Sequence, residues 1–207
     1  MQARITDRLW MVVRALFGAL CLLMAYASFQ YLYVRSGGSP GSLPSKFASS
    51  GLDVPAHFFA SGLALALVPV QLSPAIRRHW PALHRLGGWL SVAVIVLGGL
   101  SGLSLARDAH GGAVTATSFA IIALGWLYTL WRGMRAVLAR DLAGHRRWMA
   151  RCIAVSSAAI SLRLFQAFGM GVLGLPFEVA YPFSAWLCWP FNLLACEWLL
   201  HRAGRQR

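Results

Sequence analysis

The sequence predicts an all-α polytopic membrane protein, a single bundle of six transmembrane helices over residues 1–207 with both termini cytoplasmic. Three observations carry this. Of 207 residues, 58% are hydrophobic and only 12% are charged, far from the composition of a water-soluble domain. Six apolar runs approach the roughly 20 residues needed to cross a hydrocarbon core of about 30 Å. The arginines collect at the ends of these runs, on alternate connections, as topology determinants do.

In chain order, a basic head with Arg4, Arg8 and Arg14 leads into a first span over residues 15–34. The apolar run is too long for a cleavable signal peptide and lacks a clean small-residue cleavage site, so the expectation is an uncleaved span. A Gly/Ser/Pro-rich loop with SGGSPGSLPS follows, poor in helix formers. The second span, 55–72, opens near His57 and contains Pro69, which should bend it. SPAIRRHWPALHR then reads as a basic turn. The third span, 86–106, is rich in Gly and Ser, and RDAHGG turns the chain into the fourth, 113–131. The most basic loop separates it from the fifth span, 148–173. A Gly-Pro link precedes the sixth, 179–200, and HRAGRQR ends the chain.

The connections on one side carry Arg77, Arg78, Arg85, Arg132, Arg135, Arg140, Arg146, Arg147 and Arg151, besides the two basic termini. The other side has only Arg35, Lys46 and Arg107. The positive-inside rule therefore places both termini in the cytoplasm, and the expected location is the bacterial inner membrane. Trp10, Trp80, Trp89, Trp131, Trp148 and Trp198 lie near span ends, where interfacial aromatic belts form.

The net charge of +13 follows this topology. No soluble basic stripe interleaved with aromatics is present, so nucleic acid is not an expected partner; membrane lipids are, together with a membrane-protein partner or a second copy. Cys21, Cys152, Cys188 and Cys196 all lie in apolar runs and form neither a disulfide framework nor a CxxC metal site. There is no Walker-type loop, HExxH, GxSxG or dinucleotide fingerprint. The sequence does not decide whether the protein is an enzyme.

The informative stretch is Gly144–Gln166, GHRRWMARCIAVSSAAISLRLFQ. At about 100° per residue, His145, Met149, Cys152, Ser156, Ala159 and Arg163 share one small or polar face. The third span repeats the pattern with His84, Gly88, Ser91, Ile95, Gly98 and Gly102. Small faces let helices approach in lipid, which makes the third and fifth spans expected neighbours. His84 and His145 then form a candidate inner pair, either headgroup-facing or ligating, with haem iron between them as the metal reading. His57, Ser61, Ala64, Val68 and Gln71 form another stripe. Arg163 lies about 22 Å into its span, where an arginine either snorkels outward or holds an anion. Asp53, His57, Gln166 and Glu178 are on its side of the membrane. Glu197 is expected to pair with a loop arginine, and Ser184, Cys188 and Asn192 to hydrogen-bond between helices.

His57, PVQL with Gln71, LHRLGGWL with His84, Gly111-Gly112, HRRWMAR with His145, and SLRL with Arg163 together resemble a bacterial family of predicted membrane proteins with a domain of unknown function, DUF2306. The resemblance covers about Ala56 to Leu164. VPVQ departs from the GPxQ form, and His110 is outside the pattern. It implies a multi-span fold, draws attention to His57, His84, His145 and Arg163, and implies no activity. A more distant topological likeness is to six-helix proteins of the cytochrome b561 type, in which the second span would pair with the fourth outside and the third with the fifth inside.

Three functions remain open. The leading expectation is a redox or cofactor-binding protein, with haem b on His84 and His145 and an outer contact site at His57 and Arg163. The others are a small transporter or lipid- or anion-binding protein using Arg163, and an assembly or structural subunit.

Overall fold

In a computed structural model of the protein, residues 2–33 and 51–205 are described, and every regular element among them is helical. The Gly/Ser/Pro-rich loop expected before the second span lies largely outside the described residues. The helices are α1 (Gln2–Tyr33), α2 (Asp53–Leu72), α3 (Pro74–His79), α4 (Pro81–Ala106), α5 (Gly112–Leu138), α6 (Leu142–Ser156), α7 (Ala158–Gly171) and α8 (Phe177–Arg205). Five stretches are long and apolar enough to cross a membrane: Trp10–Tyr31, Asp53–Leu72, Pro81–Ala106, Gly112–Leu138 and Leu142–Gly171. The residues expected to make a sixth span lie in the continuous helix α8, which is not among these five. Pro182, Pro190 and Asn192 make it less apolar than the other five.

Local chemistry fixes the ends. The basic turn contains a short helix, α3, because Pro74 suits a first helical position and the Ser73 hydroxyl accepts from Ile76 N at 3.2 Å. Asp141 caps α6 by accepting from Gly144 N at 2.8 Å. Gly111 and Gly112 take φ of 90° and 68° in the turn before α5, a region open to glycine at little cost. Pro69 sits inside α2 near its end, so the missing amide disturbs only the last turns.

The fifth span is not one helix. It divides into α6 and α7 at Ser157. Ser156 Oγ donates to the Cys152 carbonyl at 2.8 Å, and Ser157 Oγ to that of Ala154 at 2.9 Å. Such back-bonding competes with the helical ladder and bends helices. Asn192 of α8 stitches the break: its amide donates to Ala154 O at 3.1 Å and Ser157 Oγ at 3.0 Å, while Ser161 Oγ donates to its carbonyl at 2.6 Å.

Successive spans pack side by side, and the broken span is the hub. α6 lies against α5, α2 and α8, while α7 lies against α8 and α1. Ala60 and Ala64 of α2, Val94 and Ile95 of α4, Trp126 and Leu130 of α5, and Cys152 and Val155 of α6 share one core. Cys21, Ala25, Leu65, Val68 and Ile160 join α1, α2 and α7 in a second. The third and fifth spans therefore do not pack along each other as expected. α4 lies between α2 and α5, and its small-residue face receives Gln71, Ser61 and His57 of α2 and Trp126 of α5. With neighbours at 8–10 Å, helices at opposite corners stand about 11–14 Å apart.

Small polar residues, Ser91, Ser101, Thr115, Ser118, Ser157 and Ser184, are buried among the apolar core side chains. Leu16, Leu23, Leu100, Leu124, Leu164, Phe168, Leu187 and Leu194 point outward and are exposed. This inverts the pattern of a soluble bundle and suits a hydrocarbon solvent, in which helices gain from close packing and internal hydrogen bonds. All four cysteines are unpaired thiols.

Candidate functional site

The polar residues fall at two levels. One is the basic end of the bundle, where α1 starts, α2 and α5 finish and α6 begins. Here His145 Nδ1 lies 2.9 Å from the Gly133 carbonyl. A carbonyl only accepts, so Nδ1 carries the proton and Nε2 is left as an acceptor. A Cβ at Gly133 would stand 2.6 Å from Met149 Sδ, so α5 and α6 approach closely at this contact because the residue is glycine. His84 Nδ1 is buried and has no hydrogen-bond partner. Its backbone carbonyl accepts from Gln71 Nε2 at 3.2 Å, and its ring lies within electrostatic reach of Arg77 and His145. The two histidines that the sequence paired thus lie at the same end of the bundle and within electrostatic reach, on helices α4 and α6 that do not pack along each other.

The donor chemistry of this pair suits a metal in part, since the carbonyl bond that orients His145 is the kind that orients ligating histidines. The space does not. Trp126, Leu130, Met134, Met149 and Ile95 occupy the core of the bundle. Two open surface grooves among the described residues touch neither histidine: one is lined by Ala75, Ile76, His79, Trp80 and Leu83, and one lies between α1 and the end of α2. No cluster of three His, Cys, Asp or Glu side chains suited to a metal ion occurs among the described residues. A haem does not fit between His84 and His145 in this packing.

The second level is toward the other end. His57 Nδ1 lies 2.9 Å from the Gly98 carbonyl, and Nε2 lies 3.5 Å from Ser61 Oγ. The imidazole can lie on the α4 backbone only because Gly102 has no Cβ; one would stand 3.1 Å from His57 Cε1. Arg163 of α7 is exposed, and its Nη1 donates to the Ala159 carbonyl at 3.1 Å. That carbonyl is one turn nearer the break at Ser157. The guanidinium is therefore folded back toward mid-span, opposite to the outward direction that snorkelling requires.

Arg163 lies within electrostatic reach of Tyr181 of α8 and His57 of α2. It makes no ion pair; the pair found among the described residues is Arg151 with Glu197, at 2.5 and 2.9 Å, as the sequence expected for Glu197. Asp53 is engaged by Ser104 Oγ, which itself accepts from Arg107 Nη2 at 2.7 Å. Glu178 is exposed.

Aromatic rings wall this level. Tyr181 stacks on Phe177 at 5.1 Å and meets Phe119 and His110 edge-on, both at 5.9 Å. His110 also lies 5.0 Å from Phe177. His110 thus belongs to an aromatic cluster of α8, while His57 is bound to α4, so the two do not form an outer pair.

Tyr181 was not legible as a site residue, because a tyrosine beside Pro182 near a span end reads as an interfacial anchor. Trp126 was equally hidden: its Nε1 donates to Ser156 Oγ at 2.8 Å, tying α5 to the break.

A model of the family described as predicted membrane protein (DUF2306) matches residues 54–200, which include His57, His84, His145, Arg163 and Tyr181. No curated protein and no solved structure matches the chain.

Proposed function

The chain belongs to the DUF2306 family of predicted membrane proteins, and on that premise we propose that it binds an anionic group at the side of α7, with the exposed Arg163 as the fixed cation. The observation that carries this reading is an arginine turned toward mid-span with no carboxylate partner among the described residues. An uncompensated guanidinium at that depth is costly, and a carboxylate or phosphate accepting two of its N–H donors would offset the cost. His57 Nε2 and the Tyr181 hydroxyl supply polar contacts, and Phe177 and Phe119 an apolar wall. An amphiphilic acid fits this chemistry, in a small transporter or a lipid-binding protein. In this reading α8 is a sixth span, the basic end faces the cytoplasm of a bacterium and Arg163 lies in the outer half of its inner membrane.

The test is a thermal-stability screen of detergent-purified protein against carboxylate- and phosphate-bearing amphiphiles, with neutral analogues alongside. An anion that raises Tm is expected, and Arg163→Gln should remove that shift while keeping the ligand-free Tm. Loss of a charge-assisted pair of about 1.5–3 kcal/mol corresponds to roughly 10- to 100-fold in affinity. Equal shifts in Arg163→Gln and the parent would overturn the reading.

One observation favours a second reading, redox chemistry with haem b on His84 and His145: the buried, partnerless Nδ1 of His84. It requires the core beside the histidines to open. An oxidised-minus-reduced visible spectrum of protein from haem-replete cells tests it, since stoichiometric bands lost in His145→Ala would establish it.

A further inference from the structure

Two interruptions lie at one level of the bundle. In the fifth span, Ser157 has a ψ of −1° where a regular helix has about −42°. Just beyond it, Ile160 N bonds only three residues back, to the Ser157 carbonyl at 3.0 Å. In α8, Pro190 has no N–H to give to the Trp186 carbonyl. Asn192, two residues beyond Pro190, bonds Ala154 O and Ser157 Oγ, so the two weak points stand side by side.

α7 packs chiefly on α8 and only lightly on α6 and α1. Leu175 N closes the turn between them on Gly169 O at 3.0 Å. α7 and the first half of α8, residues 177–189, therefore form a hairpin whose base is the pair of interruptions. One face of it is latched to α5. Ser118, fully buried, donates to Ala185 O at 2.7 Å and accepts from Trp189 Nε1 at 3.3 Å, and Trp186 Nε1 donates to Val114 O at 3.0 Å. Arg163 and Tyr181 ride on the hairpin. His57 does not, since it is bonded to the Gly98 carbonyl of α4. The groups assigned to the anion thus stand on both sides of the pivot.

We propose that this hairpin is a hinged gate, pivoting at Ser157 and Pro190 and closing on an anion held between Arg163 and His57. The use of the gate rests on the anion-binding reading of Arg163; the pivot does not. Opening parts Ser118 from Ala185 and carries Arg163 away from His57, and an anion that touches both holds the gate shut. Interrupted spans paired at one depth are the parts from which one portion of a bundle rocks against another. A site divided by a hinge fits transport better than fixed lipid binding.

Cysteine labelling with no amphiphile added tests the pivot. Ser184, 2% exposed on α8, is replaced in Ser184→Cys, and its reaction with N-ethylmaleimide in detergent-purified protein is followed by peptide mass spectrometry. Cys152, in the core shared by α2, α4, α5 and α6, reports any loosening of the rest of the bundle. Ser118→Ala removes two latch bonds and should speed labelling at position 184 by about three- to eightfold. Pro190→Ala restores the missing amide and should slow it by about threefold. Cys152 should stay protected throughout. Opposite signs in the two variants separate a gate from simple destabilisation, and thermal unfolding checks that each variant is folded. Equal rates in the three proteins, or Cys152 labelled in step with position 184, would overturn the gate. Absence of an anion-dependent Tm shift would instead overturn the reading of Arg163 and leave the pivot standing.

Discussion

Asn192→Leu tests whether the break in the fifth span is held by α8. The substitution keeps the approximate size and removes three hydrogen bonds, those to Ala154 O, Ser157 Oγ and from Ser161 Oγ. Interhelical hydrogen bonds in membrane proteins average about 0.6 kcal/mol each, which gives about 2 kcal/mol for three. The acceptors are not all stranded. Ala154 O still receives Ser157 Oγ at 2.9 Å, and the Ser161 hydroxyl can turn to the Ser157 carbonyl one turn back. The expected loss is therefore about 1–2 kcal/mol, read as the change in unfolding free energy by steric trapping in bicelles. A cycle with Ser161→Ala should return a coupling of about 0.6 kcal/mol. Arg163 lies six residues beyond the break and bonds within the same helix. The variant should thus also weaken the anion-dependent Tm shift expected of the parent. A stability change below about 0.3 kcal/mol with no coupling to Ser161 would refute the stitching argument.

Gly98→Ala should destabilise the bundle by about 1–3 kcal/mol, because its Cβ would stand 3.0 Å from Trp126 Cζ3 and Trp126 is held by Ser156; an unchanged unfolding free energy would show that the α4–α5 contact yields. Gly102→Ala pushes on the His57 ring at 3.1 Å and should cost about 0.5–1.5 kcal/mol by loosening the bond to Gly98 O, visible as altered His57 imidazole chemical shifts. Glu197→Gln should cost under about 1 kcal/mol despite the short contact with Arg151, since both side chains reach solvent at 23% and 49% exposure, and a larger loss in the same unfolding assay would mean that the pair is effectively desolvated.

The sequence by itself placed the long apolar helices, because each depends on what lies within one turn or one span, but not the short α3 or the division of the fifth span. Apolar length, the prolines and serines at helix starts, the Gly111-Gly112 turn and the arginine collars are local signals. The polar stripes were legible only within one helix: His57 and His145 bond to neighbouring helices, whereas Arg163, beyond the break at Ser157, is exposed. The pairing of Arg151 with Glu197 was half visible, since complementary charges near two span ends have few other partners.

Only the tertiary structure decided which stripe meets which. Small faces permit close packing but carry no address, and the stripe of α4 is filled by α2 and Trp126 rather than by the fifth span that mirrors it. The break at Ser157 was hidden in an apolar run because its cause is distributed: two serines bond backward locally, and Asn192 supplies the third partner from a different helix. The direction of Arg163 likewise depends on a carbonyl four residues back and on its having no carboxylate partner among the described residues, and both are facts of placement. Residue types set what each side chain could bond to; the fold set what was close enough to bond.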